Sequence, residues 1–397
     1  MERLHKFRTR VNLYLNQNVG REQDIMYTRE NNYDILRFFC MLCIIILHVS
    51  GGFCIGHEMH RDLFSSHDAI FFNVISRSAV PCFVMLSGAF ILSKNIDLQI
   101  FYRKSFFKLF LPTLIFSVLY VFYDALTQII GLYFGFHVGG GEDNKTFYSI
   151  IKGILHNILQ GTPYYHLWFM FMLFGLYIVF PALKYIKNSL STKHYILFSC
   201  LCCAGMFGQH FFGGEVFWCF KFVEFLGFVF LGDIIKEGFS KLNKKGMSLN
   251  KFTYLFLFIF FLVYYFVYLA NVICENNPNA LNNIMDQLAR KHGCDPLIFI
   301  ATVSLFIATA CFTKKIQNKY VVNFLNENNI LIFYIYLIHA GVLHFCVTFL
   351  RKILKIEITG TSFNIIFLTV IVFCISLVIA KISYLLYKKI VLDKVCI

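Results

Sequence analysis

Charge is what this chain has least of. Aspartate, glutamate, lysine and arginine make up 15% of its 397 residues, against 58% hydrophobic ones. A soluble domain of that length needs far more polar surface, so a fold bathed in water is excluded. Acidic residues are the scarcer sign, 22 against 36 lysines and arginines, which leaves a formal charge of +14. A basic excess suits nucleic acid only when it is gathered on a recognition element, and no stretch here is organised as one. Nucleic acid is therefore not an expected partner. The chain also lacks a Walker loop, a dinucleotide fingerprint and a Gly-x-Ser-x-Gly elbow, which leaves out three common routes to nucleotide or ester chemistry. No cleavable signal peptide is visible, because the first 30 residues are polar and basic and the first apolar run is already of spanning length.

What is abundant is long apolar runs, with 49 phenylalanines among them. Lipid-facing helices expose such side chains where water would not tolerate them. About 20 apolar residues cross a hydrocarbon core of about 30 Å. That ruler predicts ten spans, near 34–53, 70–92, 109–134, 166–183, 194–212, 216–235, 252–273, 296–312, 329–350 and 363–387. The fold class expected is an all-α polytopic integral membrane protein. Residues 1–30 form a polar basic extension, 31–390 the membrane domain and 391–397 a short tail. Lysines and arginines in alternate connections total 24 on the side of the N-terminus and eight on the other. Positive charge collects in cytoplasmic loops, so both termini are expected in the cytoplasm.

Cysteine, at 14, sits mostly inside apolar runs such as "LFSCLCC" (197–203), where it behaves as a small hydrophobe. Cys274 and Cys294 share one polar loop and would be bridged only if that loop is outside. His57, His60 and His67 lie in a loop with no paired carboxylates on a defined helix, so no metal site is expected.

Several spans carry groups that hydrocarbon does not welcome. Arg37 and His48 are eleven residues apart, which puts them on one helix face about 16 Å apart along the axis. A stripe holding a cation and an imidazole either faces a polar cavity or is a snorkelling arginine plus a bonded core histidine. In the second span Arg77, Pro81 and the pair Ser87–Gly88 follow. Proline is expected to kink that helix, and Ser87–Gly88 would let a ligand or another backbone come close. Arg103, Lys104 and Lys108 cluster before Pro112, fitting either plain positive-inside bias or a phosphate site at a proline-marked helix start. On the opposite side "PYYHLWFMFML" (163–173) holds His166 and Trp168 among residues that also suit an aromatic belt. Lys221 and Glu224 share a face of the sixth span and can neutralise each other. His339 falls at mid-membrane in the ninth, with Tyr336 a turn before it.

These residues in this order resemble the membrane acyltransferase-3 family, ten-helix enzymes of bacterial envelopes that O-acylate surface carbohydrates. "YDILRFFCMLCIIILHVSG" is similar to its first-helix signature, a basic residue, ten residues and a histidine, met by Arg37 and His48. "RSAVPCFVMLSGAF" resembles its second helix and "FYRKSFFKLFLP" its basic cytoplasmic motif. "YYHLWFMFML" and "YLIHAG" resemble its His-Leu-Trp-Phe motif and its late helix with a histidine. Lys104 and Lys108 stand where arginines are common, which keeps phosphate contact but not bidentate geometry.

The resemblance implies acyl transfer, acetyl by default, from cytoplasmic acyl-CoA to a hydroxyl of an envelope carbohydrate or lipid-linked glycan. Acyl-CoA is then a co-substrate and no tightly bound cofactor is implied. His48 would be the general base, with Arg37 beside it; a covalent acyl-enzyme on His48 or Ser87 is the less favoured variant. Donor contacts would come from Arg77, Ser87, Gly88, Arg103, Lys104 and Lys108. His166, Trp168, Glu224 and His339 would line the acceptor side. The bacterial inner membrane is the expected location, a homo-oligomer or an envelope-biosynthesis partner is compatible, and no extracytoplasmic esterase domain is expected after the last span. The rival reading is a secondary transporter of a glycan or organic anion that uses the same charges for coupling. Pro81 and Pro181 are not matched by any internal repeat that would favour it.

Overall fold

The structure, a computed structural model, describes residues 31–54, 67–94, 97–134, 156–157, 160–214, 216–245, 247–276, 295–312 and 319–395. The extension at 1–30, the Cys274–Cys294 pair as a bridge, and His57 and His60 lie outside what it describes. Among the described residues there are helices and no strand, the all-α polytopic class expected. Helix α1 is Asn31–Cys54. The second span is broken into α2, His67–Ser76, and α3, Ala79–Ile91. Then come α4, Leu98–Ser105, and α5, Leu111–Phe134, joined by a π turn, Phe106–Phe110. Helix α6 is Trp168–Ser189 and α7 is Thr192–Phe212. A 3-10 turn, Trp218–Phe225, leads into α8, Leu226–Lys244. The remainder is α9, Asn250–Asn276; α10, Pro296–Cys311; α11, Lys319–Thr348; and α12, Ser362–Tyr387.

Among the described residues, eight helical stretches are long and apolar enough to cross a membrane. The sixth and eighth expected spans also fall on helices. Helix α8 is loaded with Asp233, Lys236, Glu237, Lys241 and Lys244, and α10 has only 16 residues. Burial sorts inner from outer helices. In α2–α3 and in α11, 67% of the most apolar window is buried, against 17% in α7 and 22% in α9. The last two therefore turn most of their apolar side chains outward to lipid.

Both breaks come four residues before a proline. Pro81 has no N–H for the carbonyl of Arg77, and the helix opens at Arg77–Ser78 rather than bending at Pro81 itself. The opening is filled: the Ser78 hydroxyl is hydrogen-bonded to that of Tyr264 at 2.5 Å and lies 3.0 Å from that of Thr302. Pro112 likewise offers nothing to Lys108, and the chain widens into the π turn there. The helical start is not at Pro112. It lies at Leu98, where the Asp97 carboxylate accepts from the N–H of Gln99 and Ile100.

Helices α3 and α8 cross backbone to backbone. A side-chain carbon added at Gly88 would run into the carbonyl of Val229, and one at Gly232 into that of Met85. The two glycines are thus what lets these helices touch. Below the crossing, Lys187 of α6 bonds Asp233 at 2.7 Å and Glu237 at 2.5 Å, and the Tyr195 hydroxyl donates to Asp233 at 2.8 Å. That network satisfies a fully buried Asp233 and ties α6, α7 and α8 together.

Candidate active site

Helix α1 carries Arg37 and His48 into two connected places. Arg37 lies at the wall of a cavity of about 300 Å³, shared with Ser87, Phe90, Tyr177, Asn329 and Tyr336. That volume is at the small end of ligand pockets, and its walls are apolar with a few convergent polar groups. Asp34, one turn before Arg37, pairs with it at 2.5 Å and also accepts from Asn329 at 2.7 Å. The guanidinium lies 4.7 Å from the Phe90 ring centroid, and Lys236 lies 4.4 Å from that centroid.

Cations gather around this end. Desolvation first, then the charges of Arg37, Lys236 and Lys104, hold the Lys94 ammonium below the usual lysine range. Lys94 and Lys184 line a second, smaller cavity of about 100 Å³ whose wall includes Ile91, as does the first. Arg103 is exposed and donates to the Val395 carbonyl at 2.7 Å, while Lys104 and Lys108 are exposed. An anion arriving from this side meets positive charge before it meets the cavity.

At the other end the cavity reaches Tyr336, and beyond it three histidines converge, His48 from α1, His339 from α11 and His166 from the turn before α6. The His48 and His339 rings lie 5.3 Å apart, and His166 and His339 5.0 Å apart, centroid to centroid. Tyr336 is 5.6 Å from both His166 and His339. Its hydroxyl donates to the backbone carbonyl of His166, and its own carbonyl accepts from Nδ1 of His339 at 2.7 Å. The Nε2 of His166 donates to the Leu337 carbonyl at 3.4 Å. His166 and His339 are fully buried, whereas His48 is partly exposed with Tyr165 at 5.1 Å.

Tyr120 of α5 sets the local shape of α11. Its hydroxyl donates toward Leu337 O at 2.8 Å and Ile338 O at 3.2 Å, and it accepts from the Gly341 N–H at 3.0 Å. A side-chain hydroxyl inserted in the helical ladder bends a helix at that point, here on either side of His339. Gly341 leaves it room, since an added carbon would come within 3.1 Å of the Tyr120 ring. The same tyrosine stacks on Tyr164 at 4.3 Å and meets His166 at 5.2 Å.

The structure thus brings together Arg37, Ser87, His48, His166 and His339. Other expected residues stand elsewhere. Arg77 lies at the break between α2 and α3, where Asn73 accepts from it at 3.0 Å and in turn donates to the Leu47 carbonyl at 3.4 Å. It is therefore beside the turn that carries His48, not in the cavity wall. Gly88 is spent on the α3–α8 crossing, with backbone filling the space a ligand would need. Trp168 and Glu224 join a separate group. Lys221 sits 4.9 Å from the Trp168 ring centroid, and Glu224 follows Lys221 by three residues on a 3-10 turn, where such positions eclipse. Asp34, Lys94, Tyr120 and Asn73 were missed as participants. Asp34, three residues before Arg37, and Asn73, four before Arg77, carried a local signal; Lys94 and Tyr120 carried none.

Among the described residues no group of three His, Cys, Asp or Glu is arranged to hold a metal ion. A family model described as an acyltransferase domain matches residues 30–381. The chain belongs to the membrane acyltransferase-3 family. No curated protein and no solved structure matches it. Membership makes it a membrane acyltransferase, and the matched region includes every residue of the cavity and the histidine group.

Proposed function

We propose that this acyltransferase moves an acyl group, acetyl by default, from cytoplasmic acyl-CoA to a hydroxyl of an envelope carbohydrate or lipid-linked glycan at the bacterial inner membrane. The observation that carries this reading is the continuity of one cavity from Arg37, amid cations, to Tyr336, against the histidine group. The phosphates of the donor suit the charges of Lys94, Lys104, Lys108, Lys236 and Arg37, and Arg103 stands with them. The narrow apolar walls suit its pantetheine arm, with Ser87 along the path. The thioester then ends near His48.

The chemistry follows from the groups at that point. The acceptor oxygen attacks the thioester carbonyl carbon while its proton passes to a nitrogen of His48. The carbon–sulfur bond breaks and the CoA thiolate leaves, taking the proton back. An imidazole can take up a proton and return it, which suits both transfers. Arg77, held by Asn73 beside Leu47, is the cation we assign to a developing oxyanion. His166 closes the acceptor side, and Trp168 with Glu224 offers an aromatic face and a carboxylate for a sugar nearby.

The test compares cells producing wild type and His48→Ala at matched membrane abundance, with base-labile acetyl esters on total surface glycan measured by mass spectrometry. Esters are expected with wild type and not with the variant, a loss of at least about 10²-fold. Esters retained at the wild-type level would sink the role given to His48. Wild type no different from cells lacking the protein would sink acyl transfer to surface glycan.

A further inference from the structure

The His339 ring is fully buried, and its Nδ1 lies 2.7 Å from the Tyr336 carbonyl. A carbonyl only accepts, so Nδ1 carries the hydrogen and Nε2 is left as a lone pair. That Nε2 is buried and has no hydrogen-bond partner. Two other imidazoles lie against the ring. His166 cannot satisfy it, because Nε2 of His166 already donates to Leu337 and its Nδ1 is a second buried lone pair with no partner. Two lone pairs repel. His48 is the remaining imidazole, 5.3 Å away with its plane only 34° from that of His339. That separation admits a nitrogen-to-nitrogen hydrogen bond of about 3 Å after a small turn of the partly exposed His48 ring, and such bonds commonly close only when substrate is present.

We infer that His339 is a positioning residue for His48: its Nε2 accepts the N–H of the His48 ring and so selects which nitrogen of that ring faces the acceptor hydroxyl. The chain runs from the Tyr336 carbonyl through His339 to His48 and then to substrate, with a neutral histidine in the orienting place that a carboxylate holds elsewhere. This role rests on the acyl-transfer reading. Among the described residues, the groups that face His48 include the rings of Tyr165 and His339, with His166 behind them and Arg77 held beside Leu47.

Full-length protein in liposomes made from the membrane lipid extract of its own cells, which carries the lipid-linked acceptor hydroxyls, with acetyl-CoA as the probe and free CoA thiol as the readout, tests it. His339→Leu keeps the volume but offers no acceptor. It is expected to lower kcat about 10²-fold while KM for acetyl-CoA stays within about twofold. Accepting an N–H favours charged His48, so losing that bond lowers the His48 pKa. The acid limb of kcat/KM should therefore move to lower pH, by about one unit. His339→Gln, which retains an acceptor oxygen, should regain about tenfold in kcat. A Leu variant with wild-type kcat, or a slower one whose acid limb stays put, overturns the inference. If the Leu variant does not accumulate, His339→Phe, a ring of similar size with no acceptor, takes its place: a displaced limb supports the role and an unmoved one overturns it. Wild type that releases no CoA above empty liposomes overturns the acyl-transfer reading instead.

Discussion

Arg37 stands between two requirements. It pairs with Asp34, whose side chain is 4% exposed while its own is 25% exposed, and it faces the cavity that leads to the histidines. Removing it leaves a buried carboxylate short of a charge partner, which costs stability as well as donor binding. Arg37→Gln is expected to destabilise the protein by about 2 kcal/mol, below the fully buried range because a quarter of the arginine remains exposed. Adding Asp34→Asn should restore the melting temperature in detergent but not the turnover of acetyl-CoA. If the double variant regains turnover as well, Arg37 serves packing alone. At this scale the first-helix stripe was readable, since eleven residues return a helix to the same face. The partners were less so. Asp34 is local, but Phe90 reaches Arg37 and Asn329 reaches Asp34 from elements far along the chain.

At the scale of elements, the crossing of α3 and α8 depends on two residues without side chains. Gly88→Ala and Gly232→Ala each place a carbon inside a neighbouring backbone carbonyl, and overpacking of this kind costs about 1–3 kcal/mol. Gly205 on α7 meets nothing within 4 Å, so Gly205→Ala is the matched control. Detergent-solubilised melting curves should drop for the first two and hold for the third. Equal curves for all three would mean the crossing gives way cheaply. Pro81 and Pro112 announced irregular backbone in the sequence. What it left open was where: proline disturbs the carbonyl four residues back, which moves the break to Arg77 and the π turn to Lys108. Ser87–Gly88 showed the same limit. A ligand and a helix both need a small residue, and only the position of α8 distinguishes them.

For the whole molecule, the charge asymmetry between alternate connections predicts that both termini are cytoplasmic. Lys193 and Gly214 flank α7 at opposite ends. In intact cells, a membrane-impermeant maleimide should label Gly214→Cys and leave Lys193→Cys untouched until the membrane is opened. The reverse pattern would invert the topology and put the cation-rich end of the cavity outside, where no cytoplasmic donor reaches it.

Span positions, the helical class, the charge bias and the order of the family's motifs are written in the sequence alone, because each depends on neighbours within one helix length. Tertiary structure decided which intramembrane polar groups share a space. His48, His166 and His339 are more than a hundred residues apart in chain order, and their meeting depends on contacts between distant segments, among them the Tyr120 hydroxyl that enters the ladder of α11 beside His339. Helical periodicity says which face a residue occupies, not which helix that face will meet. That choice follows from close packing across the bundle, which no single stretch of sequence contains.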